Sequence, residues 1–250
     1  IPVYGELPRK PRKLKNQEIV VNLEEPSELS ECFPLLAERM VALSDGNEGN
    51  PLSVLITSTC SGEGKTYLSV NLALSLAVAG KKVLLMDMDL RKGALSALLG
   101  GAGKPGLGDL EQAGEGGWRS LVEQSPVSDH LDYLFAGTVP DHPSRLLLHD
   151  RIRKLMEEVK EQYDFIFMDC VPYSSLADAR IVARLADVTL YVMRAGCVKK
   201  RDLAGLQKIW KNGELKRMGI VLCDVEPHGR SSRGYAVYRS LDTSSPCAGK

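Results

Sequence analysis

A short loop between an apolar run and a helical pattern constrains the fold of this chain more than any other feature of its sequence. Residues 53–57 form the apolar run, and apolar residues recur at helical spacing over residues 65–79. The loop between them consists mainly of small and hydroxyl-bearing residues and reads Ser58-Thr59-Cys60-Ser61-Gly62-Glu63-Gly64-Lys65-Thr66. A strand, a glycine-containing turn and a helix in this order direct backbone N–H groups and the positive end of the helix dipole to one point. The order predicts a loop that binds phosphate.

The side chains of this loop suit a nucleotide with several phosphates. Gly62 and Gly64 permit the backbone to turn its N–H groups toward phosphate oxygens, Lys65 can reach the β- and γ-phosphates, and the Thr66 hydroxyl can bind Mg²⁺. The first position of the general pattern is Thr59 instead of glycine. A glycine turn that merely caps a helix is the alternative, and it does not explain the Gly-Lys-Thr sequence between strand and helix.

Two later apolar runs end in aspartate. Residues 83–86 lead into Asp87 and Asp89, and residues 165–168 lead into Asp169. The carboxyl ends of parallel strands meet at one edge of a sheet, so we expect these carboxylates beside the phosphate loop. There they could hold Mg²⁺, directly or through water, or accept a proton from an attacking hydroxyl. Each aspartate taken alone is also compatible with a solvated strand end.

Apolar runs alternate with helix-length segments along most of the chain. Strands are predicted at residues 53–57, 82–87, 133–136, 164–169, 189–194 and 219–223, and helices at 27–43, 65–79, 149–162, 177–185 and 200–212. Most of these strands are too continuously apolar to have a solvated face. We therefore predict an α/β fold of the P-loop NTPase type, with a mostly parallel central sheet flanked by helices on both faces. Residues 100–118 contain eight glycines and are expected to form a mobile surface loop.

Composition excludes several classes of protein. The 250 residues include 32 basic and 32 acidic ones, and this zero formal net charge argues against a nucleic-acid partner. The six cysteines are scattered without a C-x-x-C pair, which favours reduced thiols over a zinc site or a disulfide framework. No apolar run approaches the roughly 20 residues that span a bilayer. The chain lacks a signal-peptide pattern. Because it begins with Ile and not Met, we expect it to be a fragment.

The sequence divides into three parts. Residues 1–26 are predicted to be a linker that resembles a juxtamembrane segment, and their basic run at 9–15 is either solvated or attracted to anionic lipid. Residues 27–225 are predicted to form the main domain. Residues 226–250 are polar and expected to be a flexible tail, in which Tyr235 and Tyr238 are either exposed or anchors of a short strand.

Together these motifs resemble those of the bacterial tyrosine kinases, or BY-kinases, over nearly the whole chain. Residues 61–66 are similar to the Walker A motif of the family, 87–91 to its additional Walker A′ motif, and 164–169 to Walker B. Residues 1–8 resemble the segment that follows the last transmembrane helix of the membrane partner, and 136–144 resemble a connecting segment of the family.

The resemblance implies an ATP-dependent protein-tyrosine autokinase that regulates the synthesis or export of capsular polysaccharide or exopolysaccharide. It would act at the cytoplasmic face of the bacterial inner membrane, with further copies of itself and a membrane-embedded polysaccharide co-polymerase segment or subunit as partners. Its cofactors would be ATP and Mg²⁺. The implied nucleotide contacts are Ser61, Gly62, Glu63, Gly64, Lys65, Thr66 and Tyr67. The implied metal ligands are Thr66, Asp87 and Asp169, the catalytic residues are Lys65, Asp87 and Asp89, and the phosphoacceptors are Tyr235 and Tyr238.

Several positions depart from the family pattern and leave two alternatives open. Pro34 and Ala37 stand where the Glu-x-x-Arg-x-x-Arg motif that begins at Glu31 would have its arginines, and Cys223 stands where the family often presents Asn to adenine. One alternative is a nucleotide-binding scaffold of the same machinery without kinase activity. The other is an ATPase of the partition or division-site type, which typically has a lysine in place of Cys60.

Overall fold

The computed structural model describes residues 1–11, 19–21, 27–44, 51–114, 116–174 and 176–226. Its strands are β1 (Val3–Pro8), β2 (Leu52–Ser58), β3 (Val83–Asp87), β4 (Val122–Gln124), β5 (Leu131–Leu134), β6 (Phe165–Asp169), β7 (Val188–Arg194) and β8 (Met218–Val225). Its α-helices are α1 (Glu28–Leu43), α2 (Lys65–Val78), α3 (Ala94–Leu98), α4 (Pro143–Leu148), α5 (Asp150–Lys160), α6 (Ala177–Val182) and α7 (Lys200–Lys211).

The strands form one sheet in the order β1-β8-β7-β2-β6-β3-β5-β4. Neighbouring strands run parallel except at the edge, where the short β4 pairs antiparallel with β5. Helices α1, α2 and α3 contribute buried residues to the core on one face, and α4 to α7 to the core on the other. The predicted α/β fold, a mostly parallel sheet covered on both faces, is confirmed.

The chain start is the first correction to the sequence-based expectation. Val3–Pro8, predicted to be part of a linker, form the edge strand β1 and pair with β8. Leu7 is buried in this strand, and the ring of Tyr4 lies over Gly219, where an added Cβ would approach it to 2.1 Å. Six residues that include Gly5 and end in Pro8 give no clear alternation, which is why the sequence did not reveal this strand.

The glycine-rich stretch is the second correction. It packs against the end of β5 and the turn after it, because the N–H groups of Leu107 and Gly108 donate to the carbonyls of Phe135 and Ala136 at 2.8 Å each. Leu107 is buried, and a Cβ on Gly108 would lie 1.9 Å from the carbonyl oxygen of Thr138. The glycines permit close approach of two backbones, so the expectation of a mobile surface loop is wrong.

Some expectations fall on residues outside the described ranges, among them residues 12–15 of the basic run and the tail tyrosines Tyr235 and Tyr238. The five cysteines in the described part of the chain are free thiols, as expected. Within the same residues, no helix is both long enough and apolar enough to cross a membrane.

Candidate active site

The phosphate loop lies where the sequence places it, between the buried central strand β2 and the helix α2. Gly62 and Gly64 have φ angles of +84° and +99°, a left-handed conformation that L side chains rarely adopt. Gly64 occupies the N-cap of α2 and has no side chain that could accept a hydrogen bond from the N–H groups there. The first N–H groups of the helix, which have no partners within the helix, therefore point to the site where phosphate oxygens would bind.

Lys65 begins α2 and reaches back along the loop. Its ammonium group donates to the hydroxyl of Ser58 at 3.0 Å. Burial lowers the pKa of Lys65, although Asp169 and Glu63 oppose this change through their negative charges. The lysine is thus held inside the loop by a hydrogen bond to a neutral hydroxyl, which a phosphate oxygen could replace.

The loop is also held by contacts that the sequence did not reveal. The buried carboxylate of Glu63 accepts the N–H of Cys60 at 2.6 Å, which closes the loop on itself. From outside, the hydroxyl of Ser174 donates to the carbonyl of Thr59 at 2.5 Å. These bonds fix the loop backbone before a ligand arrives, so less ordering is required on binding.

Asp169 ends β6 directly beside the first turn of α2. Its carboxylate accepts the hydroxyls of Thr66 at 2.7 Å and Ser69 at 3.0 Å. Asp87 ends the neighbouring strand β3 and is paired in register with Asp169. Burial, together with the charge of Asp87, raises the pKa of Asp169 to about 7 against the effect of the Thr66 hydrogen bond. Two adjacent buried carboxylates of this kind call for a compensating positive charge.

Asp87 and Asp89 differ in their surroundings. Asp87 is fully buried and accepts the N–H and the hydroxyl of Ser96 at 2.8 and 2.7 Å, and burial raises its pKa. Asp89 is only partly buried, on the turn that follows β3, and accepts the N–H of Lys92 at 3.1 Å. The structure therefore brings Asp87, Asp169 and Thr66 together and places Asp89 nearer to solvent.

These donors suit a hard cation. Hydroxyl and carboxylate oxygens are the ligands that Mg²⁺ prefers, and Mg²⁺ is commonly held by one or two carboxylates together with substrate phosphates. In the described ranges, no three side chains of His, Cys, Asp or Glu converge as a complete metal cluster. The chain thus offers Thr66, Asp87 and Asp169 as partial ligands beside a phosphate loop, which fits Mg²⁺ bound with a nucleotide.

A cavity of about 200 Å³ opens on the other side of the loop. Cys223 lines it, and an added Cβ on Gly64 would lie 3.7 Å from the Cys223 sulfur. Burial raises the pKa of this thiol to about 12. Leu7 from β1 and Tyr67 from α2 contribute further walls, and the Lys10 ammonium lies 4.5 Å from the centre of the Tyr67 ring. Ser61 is exposed at the mouth of the loop.

An ionic contact positions the turn that carries Asp89. Arg91, two residues further on, donates to the buried carboxylate of Asp178 on α6 at 2.8 Å. The hydroxyl of Ser144 on α4 also donates to Asp178. Burial alone would raise the pKa of Asp178, but the hydrogen bonds from Arg91 and Ser144 hold it below its usual range. Arg91 therefore ties the turn after β3 to the two helices beside it.

Replacing Arg91 by Met is expected to lower the free energy of unfolding by about 2 kcal/mol, because Asp178 would remain buried without its cation. The double variant Arg91→Met/Asp178→Asn is expected to recover most of that loss. Arg119→Met is the matched control, since its pair with Glu158 is exposed at 3.5 Å and contributes little. Urea unfolding measures all three, and equal losses for Arg91→Met and Arg119→Met would contradict the assignment.

Known proteins are similar to this chain in sequence and in fold. Residues 54–249 match the CobQ/CobB/MinD/ParA nucleotide binding domain family. The tyrosine-protein kinase YwqD of Bacillus subtilis is 31% identical over 231 residues, which cover 91% of this chain and 94% of that protein. The putative tyrosine-protein kinase EpsB of Ralstonia nicotianae is 35% identical over 209 residues, which cover 81% of this chain and 27% of that protein.

Among solved structures, the BceF tyrosine kinase domain is similar with a TM-score of 0.75 and 28% identity, covering 90% of this chain and 94% of that one. The chain thus spans nearly the whole of YwqD but about a quarter of the length of EpsB. By sequence and by fold, the chain belongs to the CobQ/CobB/MinD/ParA nucleotide binding domain family and, within it, to the bacterial tyrosine-protein kinases.

Proposed function

We propose that this chain is an ATP- and Mg²⁺-dependent tyrosine autokinase that phosphorylates Tyr235 and Tyr238 in the tail of a neighbouring copy. The observation that carries the proposal is the contact between the Thr66 hydroxyl and Asp169, beside Asp87 and at the start of the phosphate-loop helix. Phosphoryl transfer requires the metal ligands to lie beside the groups that donate hydrogen bonds to the phosphates, and these residues have that placement. Membership in the tyrosine-protein kinase family supports the choice of tyrosine as acceptor.

Each residue of the site has a distinct part in the proposed reaction. Bound Mg·ATP would supply the phosphoryl group, and its metal cation would offset the negative charge of the phosphates during the transfer. The backbone around Gly62 and Gly64 holds the phosphates, and Lys65 exchanges the Ser58 hydroxyl for a phosphate oxygen. Thr66 and Asp169 would hold the metal. Because these groups are already in place, catalysis would come mainly from positioning and electrostatics.

The proton of the attacking tyrosine requires a base. We assign this role to Asp87, because its raised pKa makes it a better proton acceptor than an ordinary aspartate. Its carboxylate is buried against Ser96, so access depends on how substrate enters beside the more exposed Asp89. Under this assignment Asp87→Asn removes the acidic limb of the pH–rate profile, whereas Asp89→Asn keeps that limb and reduces the rate.

The family resemblance supports a proposal for the wider role. We propose that the kinase regulates synthesis or export of capsular polysaccharide or exopolysaccharide at the cytoplasmic face of the bacterial inner membrane. Its partners would be further copies of itself and a membrane-embedded polysaccharide co-polymerase segment or subunit. No role in nucleic-acid binding is proposed, because the net charge of the chain is zero.

A scaffold that binds nucleotide without transferring phosphate is the second candidate. It is favoured by one observation on α1, where Pro34 and Ala37 occupy the positions of the two arginines in the family motif. Without those arginines, copies would have to associate through other contacts before one could phosphorylate another. A partition-type ATPase is the third reading, and it would show nucleotide-dependent dimerisation without phosphotransfer.

One experiment separates these functions. The purified full chain is incubated with Mg·ATP and probed for phosphotyrosine, together with Lys65→Met and the double variant Tyr235→Phe/Tyr238→Phe. We expect signal in the wild type and none in either variant. Lys81→Met and Tyr4→Phe are matched controls, because Lys81 precedes the opposite end of β3 from Asp87 and Tyr4 lies on the edge strand.

Each other outcome has a definite meaning. ATP binding without phosphotyrosine supports the scaffold, and dimerisation by nucleotide without phosphotransfer supports the partition-type ATPase. Phosphotyrosine that persists in Tyr235→Phe/Tyr238→Phe contradicts the assigned acceptors and leaves the kinase activity standing.

A further inference from the structure

The helix α7 exposes apolar side chains on its outer surface. Leu203 and Trp210 are 46% and 41% exposed, and because they are seven residues apart they lie on the same face of the helix. Leu206, which is buried in the core, lies three residues after Leu203 and four before Trp210, so these two side chains border the buried stripe of the helix. The parts of Leu203 and Trp210 that the domain leaves uncovered are therefore available to another surface.

The segment that contains α7 has an excess of basic residues. Residues 199–217 contain seven basic residues and two acidic ones, although the whole chain is neutral. The basic residues are exposed, and they are Lys199, Lys200, Arg201, Lys208, Lys211, Lys216 and Arg217. The two acidic side chains accept hydrogen bonds from within the chain. Asp202 accepts the N–H of Lys199 at 3.0 Å, and Glu214 accepts the hydroxyl of Tyr173 at 3.1 Å.

We propose that this outer face of α7 binds the surface of an anionic phospholipid bilayer. A helix that lies in a membrane interface combines lysines and arginines with exposed Leu and Trp, because the apolar side chains enter the headgroup region while the cations meet lipid phosphates. Basic residues are attracted to the negative surface potential of such a bilayer. The face of Leu203 and Trp210, with Lys200 and Lys211 beside it, meets both conditions.

Charge also decides between a bilayer and a second copy of the chain as the occupant. A symmetric dimer through this face would bring two strongly basic segments together, and like charges oppose that contact. An anionic surface is complementary to the whole segment. The inference goes beyond the proposed function and does not depend on phosphotransfer, so a kinase without activity could still bind vesicles through α7.

The two tryptophans of the chain allow a direct test. Trp118 is 3% exposed and donates to Glu158 at 2.7 Å, whereas Trp210 is exposed, so a change of environment on binding is reported by Trp210. The full chain is titrated with phosphatidylcholine vesicles that contain or lack phosphatidylglycerol. We expect a blue shift of the emission only with phosphatidylglycerol, and no shift in Trp210→Phe.

Co-sedimentation with the same vesicles measures the contribution of charge. Each lysine at an anionic surface strengthens binding by about fivefold, so Lys200→Gln/Lys208→Gln/Lys211→Gln is expected to weaken it on the order of a hundredfold. The matched control, Lys81→Gln/Lys82→Gln/Lys104→Gln, removes the same charge elsewhere and is expected to bind nearly as the wild type does. Added salt should weaken wild-type binding.

A second pair of variants measures the apolar contribution. Leu203→Ser is expected to weaken vesicle binding several-fold, and Leu148→Ser, which changes a more exposed leucine on α4, is expected to leave it unchanged. Three outcomes would overturn the proposal: no binding to phosphatidylglycerol vesicles at low salt, equal loss in the two triple variants, or binding that leaves the Trp210 emission unchanged. The first of these with intact kinase activity would leave the proposed function standing.

Discussion

Replacing Asp169 by Asn is expected to lower phosphotransfer about a thousandfold and yet to raise the free energy of unfolding of the nucleotide-free protein by about 2 kcal/mol at mildly alkaline pH. The two effects have one cause. Asp169 is a buried carboxylate beside a second one, Asp87, and without a bound metal the Lys65 cation and the Thr66 hydrogen bond offset its charge only in part. Asn can still accept from Thr66 and can donate its amide N–H to Ser69, whose hydroxyl also reaches the Lys65 carbonyl at 3.0 Å, but it carries no charge.

The dependence of this effect on pH follows from the pKa of Asp169. The pKa rises from 3.8 in an unperturbed aspartate to about 7 in the folded protein, so the folded state holds the proton more tightly. The stabilisation from that proton is fully present below pH 3.8 and is lost as pH rises through about 7. The advantage of Asn over Asp should therefore grow across this window and level off above it.

Denaturant unfolding of the nucleotide-free protein across pH measures this advantage, with Asp187→Asn as the control. Asp187 accepts the Lys160 ammonium at 2.8 Å and the Ser53 hydroxyl at 2.6 Å. These contacts lower the pKa of Asp187 although burial opposes them, so Asn should destabilise the protein there. Loss of stability in Asp169→Asn at alkaline pH would contradict the buried-charge account, and retained phosphotransfer would contradict its metal-binding role.

Replacing Gly108 by Ala is expected to lower the free energy of unfolding by about 3 kcal/mol or more. The new methyl group would lie 1.9 Å from the carbonyl oxygen of Thr138. Because that oxygen belongs to the backbone, it cannot swing aside as a side chain could. The hydrogen bond from Gly108 to Ala136 would be lost with the shift, and the packing of Leu107 beside it would loosen.

Equilibrium unfolding in urea measures the effect, and Gly205→Ala provides the control with the same added methyl group. Gly205 lies within α7, where an added Cβ meets nothing within 4 Å. Alanine is favoured over glycine in a helix by up to about 1 kcal/mol, so this variant should be more stable than the wild type. If Gly108→Ala were as stable as the wild type, the close packing of the glycine-rich stretch would be contradicted.

The phosphate loop and the central strands could be predicted because their determinants are local. The loop from Ser58 to Thr66 carries its own glycines and lysine, and the runs that end in Asp87 and Asp169 are continuously apolar. Parallel pairing then brings both aspartates to one edge of the sheet, as the structure has them. The helix α1 could be predicted in the same way, since Ser27 caps its start.

Other parts of the site could not be read from the sequence because they depend on partners far along the chain. Ser96 contacts Asp87 only after the turn that follows β3 has folded back, and Asp178 meets Arg91 across 87 positions. An abundance of glycine is typical of mobile loops, whereas Gly106 and Gly108 permit two backbone segments to touch. Composition does not distinguish these two uses of glycine.

The pairing of β1 with β8 affects the order in which the sheet can form during synthesis of the chain. Val3 faces Ile220 in the sheet, so the ribosome makes the first strand 217 residues before its neighbour. At cellular rates of translation this delay is roughly ten to forty seconds. Throughout that time the emerged strand can contact α1, whose Arg39 donates to the carbonyls of Val3 and Tyr4, but it lacks its partner in the sheet. Closure of this edge is therefore among the last steps of folding, and it comes from the most non-local contact in the sheet.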